Sequence, residues 1–325
     1  MEIIWDFGLS IIHALQSLGW LAWPMQAITQ LGSEAFFLVF VSLLYWCIDA
    51  RLGMRVALVL LLSTSLNSWL KLVFAGPRPQ WYSPHVRAYE AESSFGLPSA
   101  HAQNAVTVWG EAAWQAQGRW LRGLAVGLIG LIGFSRIYLG VHFPTDVLLG
   151  WGVGLGVLWL FNQFSARVMQ RMGRHQLGAQ LMLVAVTSLL LLLPSLLVAH
   201  LRGPWQIPTA WLQSLQSSAE TLPHPYSLDT PVAAAGTWLG FVAGALWLNA
   251  RKQSFQPRGH VWRRGRQYLI GMSVSIVLWA GLDRLFPEGS TLVAYSLRYL
   301  RYMLLGGWIT AGAPLLFRTK VRIEA

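Results

Sequence analysis

The sequence predicts an all-α fold, a polytopic bundle of about nine transmembrane helices. Only 11% of the 325 residues are charged, and 54% are hydrophobic. Soluble domains carry about 25% charged residues. Apolar runs of about 20 residues recur along the chain, which is the length a helix needs to cross a bilayer core. Together these two observations exclude a disordered chain and an ordinary water-soluble enzyme.

Apolar length and helix breakers delimit nine spans. In chain order they cover residues 34–49, 53–75, 98–117, 119–140, 144–166, 177–200, 232–249, 267–286 and 299–317. Residues 8–31 are apolar but interrupted by polar residues and a proline, which favours a helix lying in the membrane interface. A tenth span there is the alternative. We therefore expect an interfacial segment over 1–33, a transmembrane core over 34–168 and a C-terminal transmembrane extension over 169–325.

The net charge of +11 is explained by topology. Nine spans place sixteen Lys and Arg residues in loops on one side. The other eight belong to the opposite side: Lys71, Arg78, Arg87, Arg136, Arg202, Arg284, Arg298 and Arg301. Basic residues in short loops mark the cytoplasmic face. We therefore expect an integral protein of the inner or plasma membrane, and no nucleic-acid partner.

Three polar clusters fall at the non-cytoplasmic ends of spans. Residues 71–79 end the second span, residues 98–101 open the third, and residues 135–146 join the fourth to the fifth. Because spans alternate in direction, all three clusters lie at one level of the membrane. Ionisable groups at this depth are costly and by default suggest function. The predicted site faces the periplasm or the exterior.

The residue types in these clusters favour a phosphate site. Lys71, Arg78 and Arg136 supply three cations, and the helix that begins near Ser99 supplies free N–H groups and a positive dipole end. Arginine pairs bidentately with phosphate oxygens, while lysine acts as a point charge. With Pro98 expected at the first helical position, the small Ala100 allows close approach. No metal or cofactor is predicted, because these cations supply the needed charge.

Two histidines in the same clusters suggest an in-line phosphoryl transfer. Asp146 follows His142 by four residues and can accept a hydrogen bond from its ring, which predicts His142 as the nucleophile. His101 is then the acid that protonates the departing alcohol. The nearby Glu90 and Glu92 are expected in a solvated loop, with screening of the cations as the alternative.

At these positions the sequence resembles the type 2 phosphatidic acid phosphatase family, with its relatives the glucose-6-phosphatases and vanadium haloperoxidases. The family signature here comprises Lys71 with Arg78-Pro79, Pro98-Ser99-Ala100-His101, and Ser135-Arg136 with His142 and Asp146. Every spacing is kept, and Ala100 replaces a glycine. The resemblance implies a phosphatase helical core and a phosphohistidine intermediate on His142.

A weaker resemblance to nine-span glucose-6-phosphatases covers most of the chain. It rests on Asp6-Phe7-Gly8, Leu66-Asn67 and Asp229-Thr230-Pro231, and it implies a site that faces the non-cytoplasmic lumen. The leading hypothesis is hydrolysis of a lipid phosphate or diphosphate. The alternatives are hydrolysis of a soluble sugar phosphate, a lipid phosphotransferase, and a phospholipid-binding or transport protein without activity. The sequence leaves the oligomeric state open.

Overall fold

The computed structural model describes residues 2–116, 118–203, 206, 208, 209, 211, 214, 215, 223–287 and 289–319, which form helices and connecting segments. In the N-terminal half the helices are α1 Glu2–Gln16, α2 Ala22–Thr29, α3 Glu34–Leu43, α4 Ala50–Phe74, α5 Pro79–Tyr82, α6 Ala100–Gln115 and α7 Arg119–Tyr138. They continue with α8 Pro144–Met172, α9 Leu177–Arg202, α10 Asp229–Ala250, α11 Val261–Ile276, α12 Leu292–Gly307 and α13 Ala313–Thr319.

Seven helical segments within the described residues are long and apolar enough to cross a membrane. They are Ala50–Tyr82, Arg119–Tyr138, Pro144–Met172, Leu177–Arg202, Asp229–Ala250, Val261–Leu285 and Leu292–Arg318. An eighth is obtained if Gly19–Gly32 and Glu34–Ile48, which meet at a bend of 55°, form one span. The all-α membrane fold is confirmed, whereas the count of nine spans is not.

The predicted span over 98–117 corresponds to α6, which has 16 residues. Its buried residues include Gln103, Asn104 and Glu111. Because this helix packs its polar face inside the protein, it does not show the continuous apolar run of a lipid-facing span. Its low hydropathy thus reflects burial of polar groups.

The chain divides into two compact units, and the first contains the predicted motifs. It comprises Met1–Phe37, Leu66–Trp159 and Ser195–Ser227. In this unit the apolar faces of α1 and α2 pack on the segment that follows α7. Ile12 of α1 lies against Val86 and Phe143, while Met25 of α2 lies against Tyr138 and Val141. The N-terminal residues thereby support the turn that carries the third motif.

Small residues on α8 allow that helix to approach the start of α6. A Cβ added at Gly150 would lie 2.7 Å from the carbonyl oxygen of Ser99, and one at Gly154 would lie 2.7 Å from that of Gln103. Contacts this close require glycine, because backbone atoms cannot yield as a flexible side chain can. The glycines at four-residue spacing thus fix α8 against the second motif.

The second unit comprises Leu38–Ser65, Leu160–Pro194 and Leu228–Ala325. Glycines bring its helices α10 and α12 into backbone contact, since a Cβ at Gly236 would lie 2.4 Å from the carbonyl oxygen of Tyr299. Small residues serve this purpose in membrane helix pairs generally. The Ser188 hydroxyl on α9 lies 2.7 Å from both the Ala235 carbonyl oxygen and the Tyr299 hydroxyl.

Candidate active site

The first motif places two cations beside the loop that precedes α6. Lys71, in the last turn of α4, donates from Nζ to Ser94 Oγ at 2.9 Å and to the Phe95 carbonyl at 2.7 Å. Arg78 is fully buried, and its Nε donates to the Ser94 carbonyl at 2.6 Å. Carbonyl and hydroxyl acceptors of residues 94 and 95 therefore orient both cations.

Arg78 also joins the first motif to the third. Its Nη1 donates to the Val141 carbonyl at 2.9 Å and lies 3.3 Å from Nε2 of His142. A guanidinium group can only donate hydrogen bonds. Nε2 of His142 must therefore carry a lone pair, and the ring proton resides on Nδ1.

The other ring nitrogen of His142 meets the carboxylate predicted for it. Nδ1 lies 3.2 Å from Oδ2 of Asp146, and the same oxygen accepts the backbone N–H of Phe143 at 2.9 Å. The second hydrogen bond fixes the carboxylate, and the carboxylate fixes the tautomer and the ring orientation. The reactive lone pair on Nε2 is thus aimed away from Asp146 and toward the cations.

His142 is held in its neutral form by its surroundings. Burial lowers the pKa of the imidazole, and the positive charges of Arg78, Lys71 and Arg136 lower that pKa further, well below the ordinary value. A neutral imidazole keeps its lone pair for attack on phosphorus. The cations that would hold a phosphate therefore also keep the candidate nucleophile unprotonated.

Arg136, the third cation, is fully buried near the end of α7. Its Nη1 donates to the Thr29 hydroxyl at 2.6 Å and to Glu90, while its Nη2 donates to Glu92 at 2.5 Å. Its Nε is buried and has no hydrogen-bond partner among the described residues. This guanidinium group is thus anchored at one end and keeps an uncommitted donor.

The expectation that Glu90 and Glu92 occupy a solvated loop is wrong. Both carboxylates form ion pairs with the buried arginines, and their side chains are only 22% exposed. Buried charges are paired because desolvating an isolated ion is very costly. Two buried guanidinium groups therefore recruit the nearest acids, which is the screening role that we held as the alternative.

The second motif begins α6 two residues later than predicted, at Ala100 instead of Pro98. Ser99 is the N-cap, and its Oγ accepts the Ala102 N–H at 3.5 Å, so Pro98 precedes the cap and does not occupy the first helical position. The Leu97–Pro98 peptide bond is cis. The Ser99 N–H donates to the Asp146 carbonyl at 3.0 Å. This bond ties the start of α6, with the free N–H groups of its first turn, to the third motif.

His101 lies on the first turn of α6, with its ring against Gly32, where an added Cβ would meet Cδ2 at 2.8 Å. The charges of Arg136 and Glu92 both act on its imidazole. All eight residues predicted for the site therefore lie on three segments that contact one another, and the role of each stays a prediction.

Several residues around the site were missed by sequence reasoning. Thr29 holds Arg136, and Ser94 accepts from Lys71 and Arg78. Asn67 donates from its amide to the Pro98 carbonyl at 3.3 Å and to Gln103 at 2.8 Å. Asn67 lies one helical turn before Lys71, so its spacing from Lys71 could have indicated that it lies beside the site. Nothing in the spacing of Thr29 or Ser94 indicates their contacts.

The arrangement can bind a multiply charged anion and attack it. One connected cluster contains the lone pair of His142 Nε2, the uncommitted Nε donor of Arg136 and the first turn of α6. Among the described residues, no group of three or more His, Cys, Asp and Glu side chains could hold a metal ion. The charge complementary to an anion is supplied by Lys71 and the two arginines.

Family comparisons match the two parts of the chain separately. The profile of the PAP2 superfamily matches residues 52–170, which include all three motifs. The profile of the PAP2 superfamily phosphatase transmembrane extension matches residues 232–323.

Curated relatives divide between lipid and sugar phosphatases. Phosphatidylglycerophosphatase B of Bacillus subtilis (strain 168) is 32% identical over 50% of this chain and 84% of its own. Sphingosine-1-phosphate phosphatase 1 of Rattus norvegicus is 31% identical over 41% of this chain, but the match spans only 32% of that relative. Glucose-6-phosphatase 3 of Bos taurus is 25% identical over 94% of this chain and 92% of its own.

Proposed function

The chain belongs to the PAP2 superfamily, and from this premise we propose that it is an integral membrane phosphatase that hydrolyses a phosphate or diphosphate ester of a lipid. One observation carries the proposal. His142 is held by Asp146 through Nδ1, at 3.2 Å, while its Nε2 lies 3.3 Å from the Arg78 guanidinium. A lone pair beside a buried guanidinium group is the arrangement that attack on a bound phosphoryl group requires.

The reaction proceeds in two steps. Nε2 of His142 attacks phosphorus as the ester P–O bond breaks, and His101 transfers a proton to the departing oxygen. Water then attacks the phosphohistidine, His101 takes its proton, the N–P bond breaks and inorganic phosphate leaves. Lys71, Arg78, Arg136, Ser99 and the N–H of Ala100 stabilise the charge on the equatorial oxygens.

A lipid substrate is favoured by the relatives and by the setting of the site. Two relatives named for lipid phosphates are 31% and 32% identical to this chain, over 41% and 50% of its length. The site residues lie at the ends of apolar helices, where a membrane lipid presents its head group. The excess of basic residues that a nine-span topology assigns to the opposite side supports a site on the non-cytoplasmic face.

Hydrolysis of a soluble sugar phosphate is the second candidate. It is favoured by the match to glucose-6-phosphatase 3, which extends over 94% of this chain. This longer match includes helices outside the motifs, and in the described part of the chain Thr29 contacts Arg136 and Gly32 lies against His101. The same residues would perform the chemistry on either substrate.

Phosphate release from a defined panel tests the proposal. The purified chain in lipid nanodiscs is given phosphatidic acid, a polyprenyl diphosphate, a sphingoid-base phosphate and glucose 6-phosphate. We expect release from one or more lipids at a rate well above that of the His142→Ala variant. Release from glucose 6-phosphate alone would support the second candidate. Release from no substrate, or equal release by the variant, would contradict phosphatase activity at this site.

A further inference from the structure

Glu92 joins the two buried arginines of the site through one carboxylate. Its Oε2 lies 3.1 Å from Nη2 of Arg78, and its Oε1 lies 2.5 Å from Nη2 of Arg136. Two oxygens of one anion, each on a different guanidinium group, reproduce the contacts that two phosphoryl oxygens would make. Glu92 thus occupies the anion position that the two arginines share.

The hydrogen-bond donors of Arg78 show which existing contacts a phosphate group would have to displace at this position. The guanidinium group has five N–H donors. One goes to the Ser94 carbonyl, one to the Val141 carbonyl, and one points at His142, while Nη2 serves Glu92 and Ser94 Oγ. A phosphoryl group at His142 can use the donor that points at the imidazole. Any second contact with Arg78 must displace Glu92 or another of its acceptors, which include the Phe95 carbonyl at 3.4 Å from Nη2.

Arg136 is committed only in part, because its Nε has no hydrogen-bond partner among the described residues. Its Nη1 serves Thr29 and Glu90, and its Nη2 serves Glu92. The Nη2 groups of Arg78 and Arg136 are therefore the donors for which Glu92 and a phosphate compete. Glu90 contacts only one of the two arginines.

Glu92 carries its charge at any working pH. Burial alone would raise the pKa of this carboxyl, but the charges of Arg78, Arg136 and Lys71 lower it to about 2. The three cations thus face an internal anion. Its charge repels a phosphate dianion, and its two oxygens occupy one donor group of each arginine.

We propose that Glu92 is an internal carboxylate that competes with phosphate oxygens for Arg78 and Arg136 and thereby lowers the affinity of the site for its inorganic product. This inference rests on the proposed function of the site. The competition weakens binding of every phosphate group by a similar factor, but an ester recovers affinity from contacts of its organic part. Free inorganic phosphate has no such part. Glu92 thus weakens retention of the inorganic product while the ester still binds through its organic part, which is rejection by a repulsive element.

The test compares phosphate affinity across three variants of the full chain in nanodiscs. Glu92→Gln removes the charge and keeps the shape. Glu92→Asp keeps the charge but is one methylene too short to reach both arginines. Glu90→Gln makes the same charge change in the same loop at a residue that contacts only Arg136. Binding of inorganic phosphate and orthovanadate is measured by calorimetry, and KM is measured for the best ester of the panel.

We expect Glu92→Gln to bind phosphate about tenfold or more tightly than the wild type, because one like charge is removed from the anion site. Glu92→Asp and Glu90→Gln should show smaller gains. The phosphate inhibition constant and the ester KM should both fall in Glu92→Gln by a similar factor, so that a given concentration of inorganic phosphate occupies more of the free enzyme.

The opposite sign would overturn the inference. If Glu92→Gln and Glu92→Asp both bind phosphate more weakly than the wild type, Glu92 positions the arginines and does not compete with phosphate. Should Glu92→Gln fail to fold, an unchanged or weaker affinity in Glu92→Asp leads to the same conclusion. If the wild type and all variants bind no phosphate and release none from any ester, the proposed function itself fails.

Discussion

His142 is the residue whose chemistry depends most on its neighbours. Arg78 can only donate to Nε2, which places the ring proton on Nδ1, opposite Asp146. Without Asp146 the imidazole could turn or change tautomer, and the lone pair would no longer face the phosphate position. The cation and the carboxylate together direct the lone pair of the candidate nucleophile.

The pH dependence of catalysis should show how the cations act on His142. Because burial and the nearby positive charges lower its pKa, activity should persist on acidification below pH ~6.5, the ordinary histidine pKa. In Lys71→Met one of these charges is lost, so the pKa should rise and the acid limb of kcat/KM should move to higher pH. The ionisation of the substrate is common to both proteins and cancels in the comparison. An acid limb at the same pH in both proteins would contradict electrostatic control of the His142 pKa by Lys71.

His101 is expected to matter most when the leaving group is poor. His101→Ala should slow hydrolysis of an alkyl phosphate by about 10²-fold or more, which is the scale of general acid catalysis. An activated aryl phosphate needs no proton on its departing oxygen and should lose much less in the first step. Burst-phase kinetics with both substrates separate that step from hydrolysis of the intermediate. Equal losses in the burst rate with the alkyl and the aryl phosphate would contradict the role of His101 as the acid.

Among the elements, α8 has the most direct influence on the geometry of the site. It carries Asp146 at one end, and Gly150 lies against the Ser99 carbonyl. The α6 cap and the candidate nucleophile are therefore positioned by one helix. A shift of α8 would disturb both the anion-binding turn and the carboxylate that holds His142.

A pair of glycine substitutions tests this arrangement. In Gly150→Ala the new Cβ would lie 2.7 Å from the Ser99 carbonyl oxygen, while in Gly152→Ala it would meet nothing within 4 Å. We expect Gly150→Ala to lower kcat/KM by about tenfold or more, since an error near 1 Å can cost 10²-fold, and to lower the Tm. Gly152→Ala, in the same helix, should retain wild-type values. Equal behaviour of the two variants would mean that the close approach is unimportant.

The sequence predicts the elements of the site better than it predicts their partners. Lys71, Arg78, His101 and His142 were found because their spacing is fixed locally and alternating spans bring them to one level. Thr29 reaches Arg136 only through tertiary packing, so no local pattern reveals it. The span predicted over α6 is not confirmed for a related reason, because a helix that buries polar residues in the protein does not match a lipid-facing pattern.

On the scale of the whole molecule, the distribution of basic residues predicts the orientation of the site. A topology of nine spans would assign sixteen of them to the side opposite the motifs and five to the motif side, once Lys71, Arg78 and Arg136 are set aside. Catalysis should therefore face the periplasm or exterior.

Cysteine labelling on intact cells measures this orientation. In a Cys47→Ser background, single cysteines replace Ser93 and Ser254, both of which are exposed in loops. A membrane-impermeant thiol reagent should label the Ser93→Cys protein and spare the Ser254→Cys protein until the cells are opened. The reverse pattern would place the site in the cytoplasm and remove the proposed outer-leaflet substrate.

Trapping of a phosphoenzyme tests the central claim most directly. The panel substrate with the highest turnover is prepared with ³²P in its scissile phosphate and mixed with enzyme on the millisecond scale, and the reaction is then quenched in alkaline detergent. We predict protein-bound label that is stable to base, labile to acid and located on the peptide that contains His142. It should be absent from His142→Ala. Label on another residue, label that persists in His142→Ala, or turnover without protein-bound label would contradict nucleophilic catalysis by His142.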